Sequence, residues 1–260
     1  MDDKTYKTRF DALCREQLRL AAVRDSEGIG TYNEKTLHKI LKRTVTDDES
    51  CFEVPVGAYV ADVREKGRIT EIQTGGLYPL VPKLTDFLAH TEDEIVVLHP
   101  LDAELTILRI DPETGELLRK KKSPKKEKPR DLLAELYYLR ALFPSPRLHV
   151  VAVSVRGEEY RYSERMRGRK KGAYDAVYRP IEWLEATEIA TTADVASLLP
   201  EALRDEAEFT AEDFGRAMGL RAGRRRSMAL AFLCEKGILT RRKEGRKYVY
   251  AYQYDKTASR

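Results

Sequence analysis

The sequence predicts an α/β chain (α+β in detail): a mixed sheet carrying helices, followed by a small helical unit closed by a hairpin. Three observations predict it. Helical periodicity and short apolar β-like runs alternate from the N-terminus to about residue 155, which argues for helices packed against a sheet. Turn chemistry separates β-like runs at Lys66-Gly67 and at Asp111-Pro112-Glu113-Thr114-Gly115. Beyond Phe209, two short helical stretches and a terminal hairpin stand apart from that alternation. A length of 260 residues suits two domains, and a hydrophobic share of 42% suffices for packed cores.

Residues 5–24 read as a polar helix ended by the turn-rich DSEGIG. Thr31-Tyr32-Asn33-Glu34 has capping-box spacing and opens a helix through about Arg43. Two β-rich runs follow, 52–63 and 68–74, and then Leu80, Leu84, Phe87 and Leu88 recur at helical spacing. EIVVLHP (94–100) reads as a short buried strand, and LTILRI and GELLRKK as the arms of a hairpin. DLLAELYYLRALF (131–143) is expected to be a helix stopped before Pro144, and RLHVVAVSV (147–155) another buried strand. Residues 156–200 stay open, since AYDAVYRPIEWLEAT fits a strand pair or a strand and a helix. TAEDFGRAMGL then forms a short helix with Thr210 as its cap and Gly219 at its end. A second helix over RAGRRRSMALAFLCEKG closes at Gly237, and the last strands turn at Lys243-Glu244-Gly245.

No apolar run reaches the ~18 residues of a membrane-spanning helix, and MDDKTYKTRF has no apolar signal core, which argues against export. Cys14, Cys51 and Cys234 are odd in number and scattered, fitting neither a disulfide framework nor a zinc cluster, so a reducing cytoplasm is the expected compartment. The net charge of +4 is unevenly placed. Residues 156–260 hold 22 Lys and Arg against 17 Asp and Glu, whereas the first 155 hold 25 against 26. Two runs concentrate the positive charge, RKKKSPKKEKPR (119–130) and RYSERMRGRKK (161–171). Such runs are either solvated loops or tracks for an anionic polymer.

DVREKGRITEIQTGG (62–76) places acids on two strands joined by a two-residue turn. With Glu65 facing Arg68, Asp62 falls opposite Glu71 on one face, their Cβ atoms roughly 4.5–5.5 Å apart. Gln73 shares that face by strand alternation. Opposed carboxylates repel, and a divalent cation between them removes the repulsion while taking the oxygen ligands that suit Mg²⁺. Glu34 is a third candidate ligand, because Leu37 and Leu41 put it on the core-facing stripe of its helix; its other role is the capping-box acid. His38, His90, His99 and His149 show no metal spacing, and neither a phosphate loop nor a nucleophile elbow occurs.

Helix-borne Glu34, then Asp62 on one strand and Glu71-Ile72-Gln73 on the next, resemble the PD-(D/E)XK nuclease superfamily over roughly residues 30–155. The α-β-β-α-β order agrees with its restriction-endonuclease-like fold. Two positions depart: Ala61 stands where proline is usual, and Gln73 where lysine is expected. Lys83, on the following helix beside Leu80 and Leu84, is the candidate replacement, against the plainer role of a surface lysine. The resemblance implies a deoxyribonuclease dependent on Mg²⁺ (or Mn²⁺), with Glu34, Asp62 and Glu71 as metal ligands. Gln73 or Lys83 would orient water or stabilise charge on the phosphate. Lys120, Lys121, Lys122, Lys125 and Lys126 would hold the DNA backbone.

The C-terminal helix–turn–helix–hairpin resembles a winged helix-turn-helix domain. Arg221, Arg224, Arg225 and Arg226 would approach the major groove, and Arg241, Arg242 and Lys247 would sit on the wing. The expected division is 1–30 (helix and turn), 31–155 (nuclease-like), 156–205 (basic connection) and 206–260 (winged helix). DNA is the expected partner, a membrane is not, and a homodimer is compatible with the reading. The alternative is a non-catalytic DNA-binding protein with a degenerate nuclease-like domain.

Overall fold

Residues 3–24, 34–162 and 175–254 are described by the computed structural model. The chain opens with α1 (Asp3–Arg24) and α2 (Glu34–Val45), then β1 (Phe52–Val56), β2 (Tyr59–Glu65) and β3 (Arg68–Ile72). After α3 (Val81–His90) come β4 (Glu94–Ile110) and β5 (Leu117–Lys122). A single-turn α4 (Leu133–Leu136) precedes two long strands, β6 (Leu148–Tyr162) and β7 (Asp175–Ile189). The seven strands make one mixed sheet in the order β1-β2-β3-β4-β6-β7, with β5 pairing to β4 off this path. Among these strands only β3–β4 and β4–β6 are parallel. Parallel pairs need long crossovers, and α3 supplies the first. The capping-box residues Thr31, Tyr32 and Asn33 lie outside the described residues, as does the core of the second basic run.

Three expectations change. EIVVLHP and LTILRI, expected as separate strands, are one 17-residue β4, whose ladder with β6 runs through Pro100 in register and continues past a bulge between Asp102 and Glu104. The expected basic connection at 156–205 contains the outer half of β6 and all of β7. Irregularities at Ser154/Val155 and Arg156/Gly157 break its alternation, and Pro180 is tolerated because β7 is an edge strand. The helix expected at 131–143 is α-helical only in α4, with 3₁₀ turns on either side at Pro129–Leu132 and Tyr137–Leu139.

Strand alternation splits the apolar residues between the two faces of the sheet. Ile69, Ile95, Val97, Val150 and Ala152 point to α3 and α4, meeting Leu84, Phe87, Leu133 and Leu136. Ile72, Val96, Leu98, Val151 and Val153 face α1 and α2, meeting Phe10, Leu37, Ile40 and Leu41.

The C-terminal part contains α5 (Thr192–Ser197), α6 (Glu201–Asp205), β8 (Phe209–Thr210), α7 (Ala211–Met218), α8 (Arg224–Glu235), β9 (Leu239–Glu244) and β10 (Lys247–Tyr252). Its three strands pair in the order β8-β10-β9. Thr210 and Asp213 form a reciprocal capping box on α7, and Gly219 ends that helix at φ 71°, a conformation glycine adopts without a Cβ clash. α8 packs on α4, and Phe232 and Leu233 join the same apolar cluster as Leu133, Leu136 and Phe143. The helical unit therefore shares a core with the sheet.

Trp183, the single tryptophan, ties α1 to β7. Its indole N–H donates to Asp3 Oδ1 at 2.7 Å and its backbone N–H to Asp11 Oδ1 at 2.9 Å. Phe10 meets it edge-on with ring centroids 5.7 Å apart. Phe10→Ala should cost about 3–5 kcal/mol by denaturant unfolding, since the ring is wholly buried. Tryptophan emission should shift red in the folded variant as water enters. An unchanged midpoint and emission would contradict this docking.

Candidate functional site

The site grows out of the β2–β3 hairpin. Gly67, at φ 80°, closes the turn, and the strands pair as Glu65↔Arg68, Arg64↔Ile69 and Val63↔Thr70. This is the register the turn chemistry implies, and its next pair is Asp62 and Glu71. There the ladder stops and side chains take its place. The Asp62 backbone N–H donates to Glu71 Oε1 at 3.0 Å, and the Ile72 N–H donates to Asp62 Oδ2 at 2.8 Å. Each carboxylate holds the backbone of the opposite strand.

The expectation that Asp62 and Glu71 share one face changes at a kink. The β1–β2 ladder passes from Phe52↔Val63 to Val54↔Ala61, and Glu53 between them sits at φ 51°, uncommon for a non-glycine residue. Ala61 packs on the α3 side of the sheet and Val63 on the α1–α2 side, although strict alternation would put both on one side. Asp62 accordingly meets α2, where His38 Nε2 lies 3.3 Å from its Oδ2. Glu71 meets α3, where the Lys83 ammonium donates to its Oε2. Helices from opposite faces thus close on one acid pair.

Lys83 is no surface lysine: its side chain is 17% exposed and its ammonium lies 5.6 Å from the Phe87 ring centroid. Gln73 turns elsewhere. Its amide donates to the Gly76 carbonyl at 2.7 Å, and its backbone N–H to Leu98 O. α2 begins at Glu34, whose side chain lies outside the described residues. His38 is the residue that motif spacing misses. Its position four residues after Glu34, one helical turn on, is the available signal.

Burial pushes the Glu71 carboxyl up to about 7, helped by the charge of Asp62 and opposed by Lys83 and the Asp62 amide. Burial also raises Asp62, but the His38 hydrogen bond, the Ile72 amide and the charges of His38 and Lys83 outweigh it and hold Asp62 below its ordinary value. Two neighbouring carboxyls are thereby driven apart in acidity, the pattern of paired groups with different tasks. Among the described residues no group of three His, Cys, Asp or Glu side chains converges on one point. The donor set fits a hard divalent cation such as Mg²⁺, which binds through one or two carboxylates and keeps several waters. Lys83 would have to yield Glu71 Oε2 to it.

The basic residues divide into two groups. Lys120, Lys121 and Lys122 are exposed along β5, with Lys120 3.8 Å from Glu158. Lys125 pairs with Glu127 at 2.5 Å beside the exposed Lys126. Arg221, Arg224 and Lys247 are exposed, and Arg241 stacks over Tyr248 at 5.3 Å. The rest are engaged within the chain. Arg225 bridges α8 to the α4 region, donating to Glu135 Oε1 at 2.9 Å and to the Asp131 carbonyl at 3.1 Å. Arg226 lies 3.5 Å from Glu212, and Arg242 holds Glu208 with two bonds of 2.9 and 2.6 Å. Of the arginines expected to contact DNA, Arg225, Arg226 and Arg242 are thus held by acids of the chain, whereas Arg221 and Arg224 stand exposed.

Fold and site define a mixed α+β protein in which one hairpin of a seven-stranded sheet pairs a buried glutamate with a half-buried aspartate. Residues 35–190 match the model of a family described as Domain of unknown function (DUF8091), and the chain belongs to that family. The match runs from the first turn of α2 to the end of β7, so it contains the whole acid pair with its His38 and Lys83 partners. No curated protein and no solved structure matches the chain.

Glu71 keeps its proton in the folded chain to about pH 7, whereas an ordinary glutamate loses it near 4.5. Between these values the folded state binds the extra proton, so stability is greatest at the acid end and falls as pH rises. The shift corresponds to roughly 3 kcal/mol at most. Glu71→Gln should match wild type in urea unfolding at about pH 4 and exceed it by roughly 1–3 kcal/mol at about pH 8. A difference independent of pH would contradict the raised acidity constant.

Proposed function

We propose that the chain is a metal-dependent nuclease acting on DNA, with a PD-(D/E)XK-like domain and a C-terminal winged helix. The observation that carries this reading is the buried Glu71 clasped to Asp62 with the Lys83 ammonium on its second oxygen. Acid, acid and lysine stand together although Lys83 comes from α3 rather than from β3. The helix, hairpin, helix and parallel strand around them support the nuclease-like architecture, and the capped α7, α8 and the β9–β10 hairpin support the winged helix.

Asp62 and Glu71 are the residues that would hold Mg²⁺ or Mn²⁺, with Glu34 at the start of α2 as the third candidate. Such an ion, when bound, polarises a phosphoryl oxygen and lowers the pKa of its water. Asp62, kept ionised by His38 and the Ile72 amide, is ready to ligate. Glu71 must first lose its proton, as any ligating carboxyl must. The ammonium of Lys83, carried on α3 beside Glu71, would donate to a phosphate oxygen or to the attacking water. Lys120, Lys121 and Lys122 offer an exposed row of cations for the phosphate backbone.

A second reading is a non-catalytic DNA-binding protein. It is favoured by Gln73, an uncharged side chain at the motif's lysine position, with its amide engaged by the Gly76 carbonyl. Incubation of plasmid, linear and single-stranded DNA with Mg²⁺, Mn²⁺ or EDTA separates the two. The nuclease reading expects metal-dependent cleavage, lowered about 100-fold or more in Asp62→Ala, Glu71→Ala and Lys83→Ala, with DNA retention nearly unchanged. Retention without cleavage in any metal supports the binder. Equal cleavage by wild type and Asp62→Ala rejects this site.

A further inference from the structure

A cleft of about 520 Å³ lies between residues 125–131 and the turn joining α7 to α8. Lys125, Lys126, Lys128, Arg130 and Arg225 line it, against the acids Glu127 and Asp131. Glu127 is held by Lys125 and by the Asp102 amide, and Asp131 accepts from the Lys128 N–H, so both acids are already engaged. The Arg130 Nε is buried and has no hydrogen-bond partner among the described residues. This surface carries more positive charge than its own acids neutralise.

One carboxylate joins the cleft to the connection that follows the acid pair's strand β3. Glu135 accepts from Arg225 on Oε1 and from the Leu77 N–H on Oε2 at 3.2 Å. Leu77 belongs to the connection between β3, which carries Glu71, and α3, which carries Lys83. The next residue, Tyr78, is 66% exposed, the most exposed of the large apolar side chains described. Its ring meets Tyr138 edge-on at 5.1 Å, and Tyr138 stands three residues after Glu135.

We infer that this cleft binds the phosphate backbone of a single nucleic-acid strand, with an unpaired base stacked on Tyr78. The inference rests on the nucleic-acid part of the reading above and names its substrate class: single-stranded ends, flaps or frayed duplex. Cationic grooves that track one backbone, with aromatic faces for the bases, are how single strands are held without sequence preference. A volume of about 520 Å³ suits a few groups of one strand. A duplex, whose major groove alone is ~12 Å wide, could touch its rim but not enter it. An acidic peptide would use the cations but has no need of the exposed Tyr78 ring, which follows the Leu77 amide that Glu135 ties to Arg225.

The test is fluorescence anisotropy on the full chain in EDTA over a salt series. The probes are a labelled oligothymidine, the same length of oligouridine, and a hairpin duplex, with polyglutamate as competitor. The variants are Lys126→Glu/Lys128→Glu, two exposed positions, and Tyr78→Ala beside Tyr78→Phe. Wild type should bind a single strand, DNA or RNA, more tightly than the duplex. The charge reversal should weaken this by about tenfold or more and flatten the salt slope by about 0.7 for each phosphate that is no longer neutralised. Tyr78→Ala should weaken it about fivefold or more without changing the slope, and Tyr78→Phe should restore it. Equal affinity of all variants for the strand, or a preference for duplex, overturns the inference. So does displacement by polyglutamate at equal charge with Tyr78→Ala silent, which would assign the cleft to an acidic protein. Because no metal is present, a chain that never cleaves still gives the expected binding, and a chain that cleaves but shows none of these effects refutes the cleft alone.

Discussion

A carboxyl group 1% exposed, lying against a second carboxylate, is the constraint on which the rest of this site depends. Ionising Glu71 there means placing charge in a low dielectric beside a like charge, and both effects favour the protonated acid. The chain answers with three positive or polar contacts: the Lys83 ammonium, the Asp62 N–H and, one step removed, the His38 imidazole on Asp62. They offset the cost without cancelling it, which leaves Glu71 with a raised acidity constant and Asp62 with a lowered one. A cation bound at the pair would favour the charged form of both.

The scaffold explains why such a pair is sustained. Central strands β3, β4 and β6 run through two apolar layers, so their positions are fixed from both faces. β2 is less constrained, and its kink opposite Glu53 turns Asp62 out of regular alternation toward α2. α3, the crossover between β3 and β4, places Lys83 over Glu71 because Leu84 and Phe87 anchor the same helix in the core. The C-terminal unit adds Arg225, which holds Glu135, which holds the Leu77 amide behind the site. α8 is thus tied to the connection between β3 and α3, the two elements that carry Glu71 and Lys83, and its arginine serves in docking as well as in charge.

The hairpin, its register and the acid pair are legible in the sequence because a two-residue turn and the strand period leave little freedom. The Thr210 cap and the Gly219 stop are legible for the same local reason. The continuity of β4 through Pro100 and the outer half of β6 are not, because bulges are decided by tertiary pairing, which composition does not encode. The kink at Asp62 depends on a positive φ at Glu53, a residue type with no preference for it. His38 reads as a lone histidine along the chain, and its partner is 24 residues away. Arg225 is indistinguishable from its neighbours Arg224 and Arg226 until Glu135, 90 residues earlier, sets it apart.

On the proposed reading, the acid pair would hold a cation at the Glu71 oxygen that the Lys83 ammonium contacts. Electron paramagnetic resonance of Mn²⁺ titrated into the chain at about pH 8, where Glu71 is ionised, measures this directly. The expected result is one saturable site per chain, absent from Glu71→Gln and Asp62→Asn and tightened in Lys83→Met, which removes the competing ammonium. Saturable binding that survives both carboxylate changes, or its absence from wild type and Lys83→Met alike, would contradict it.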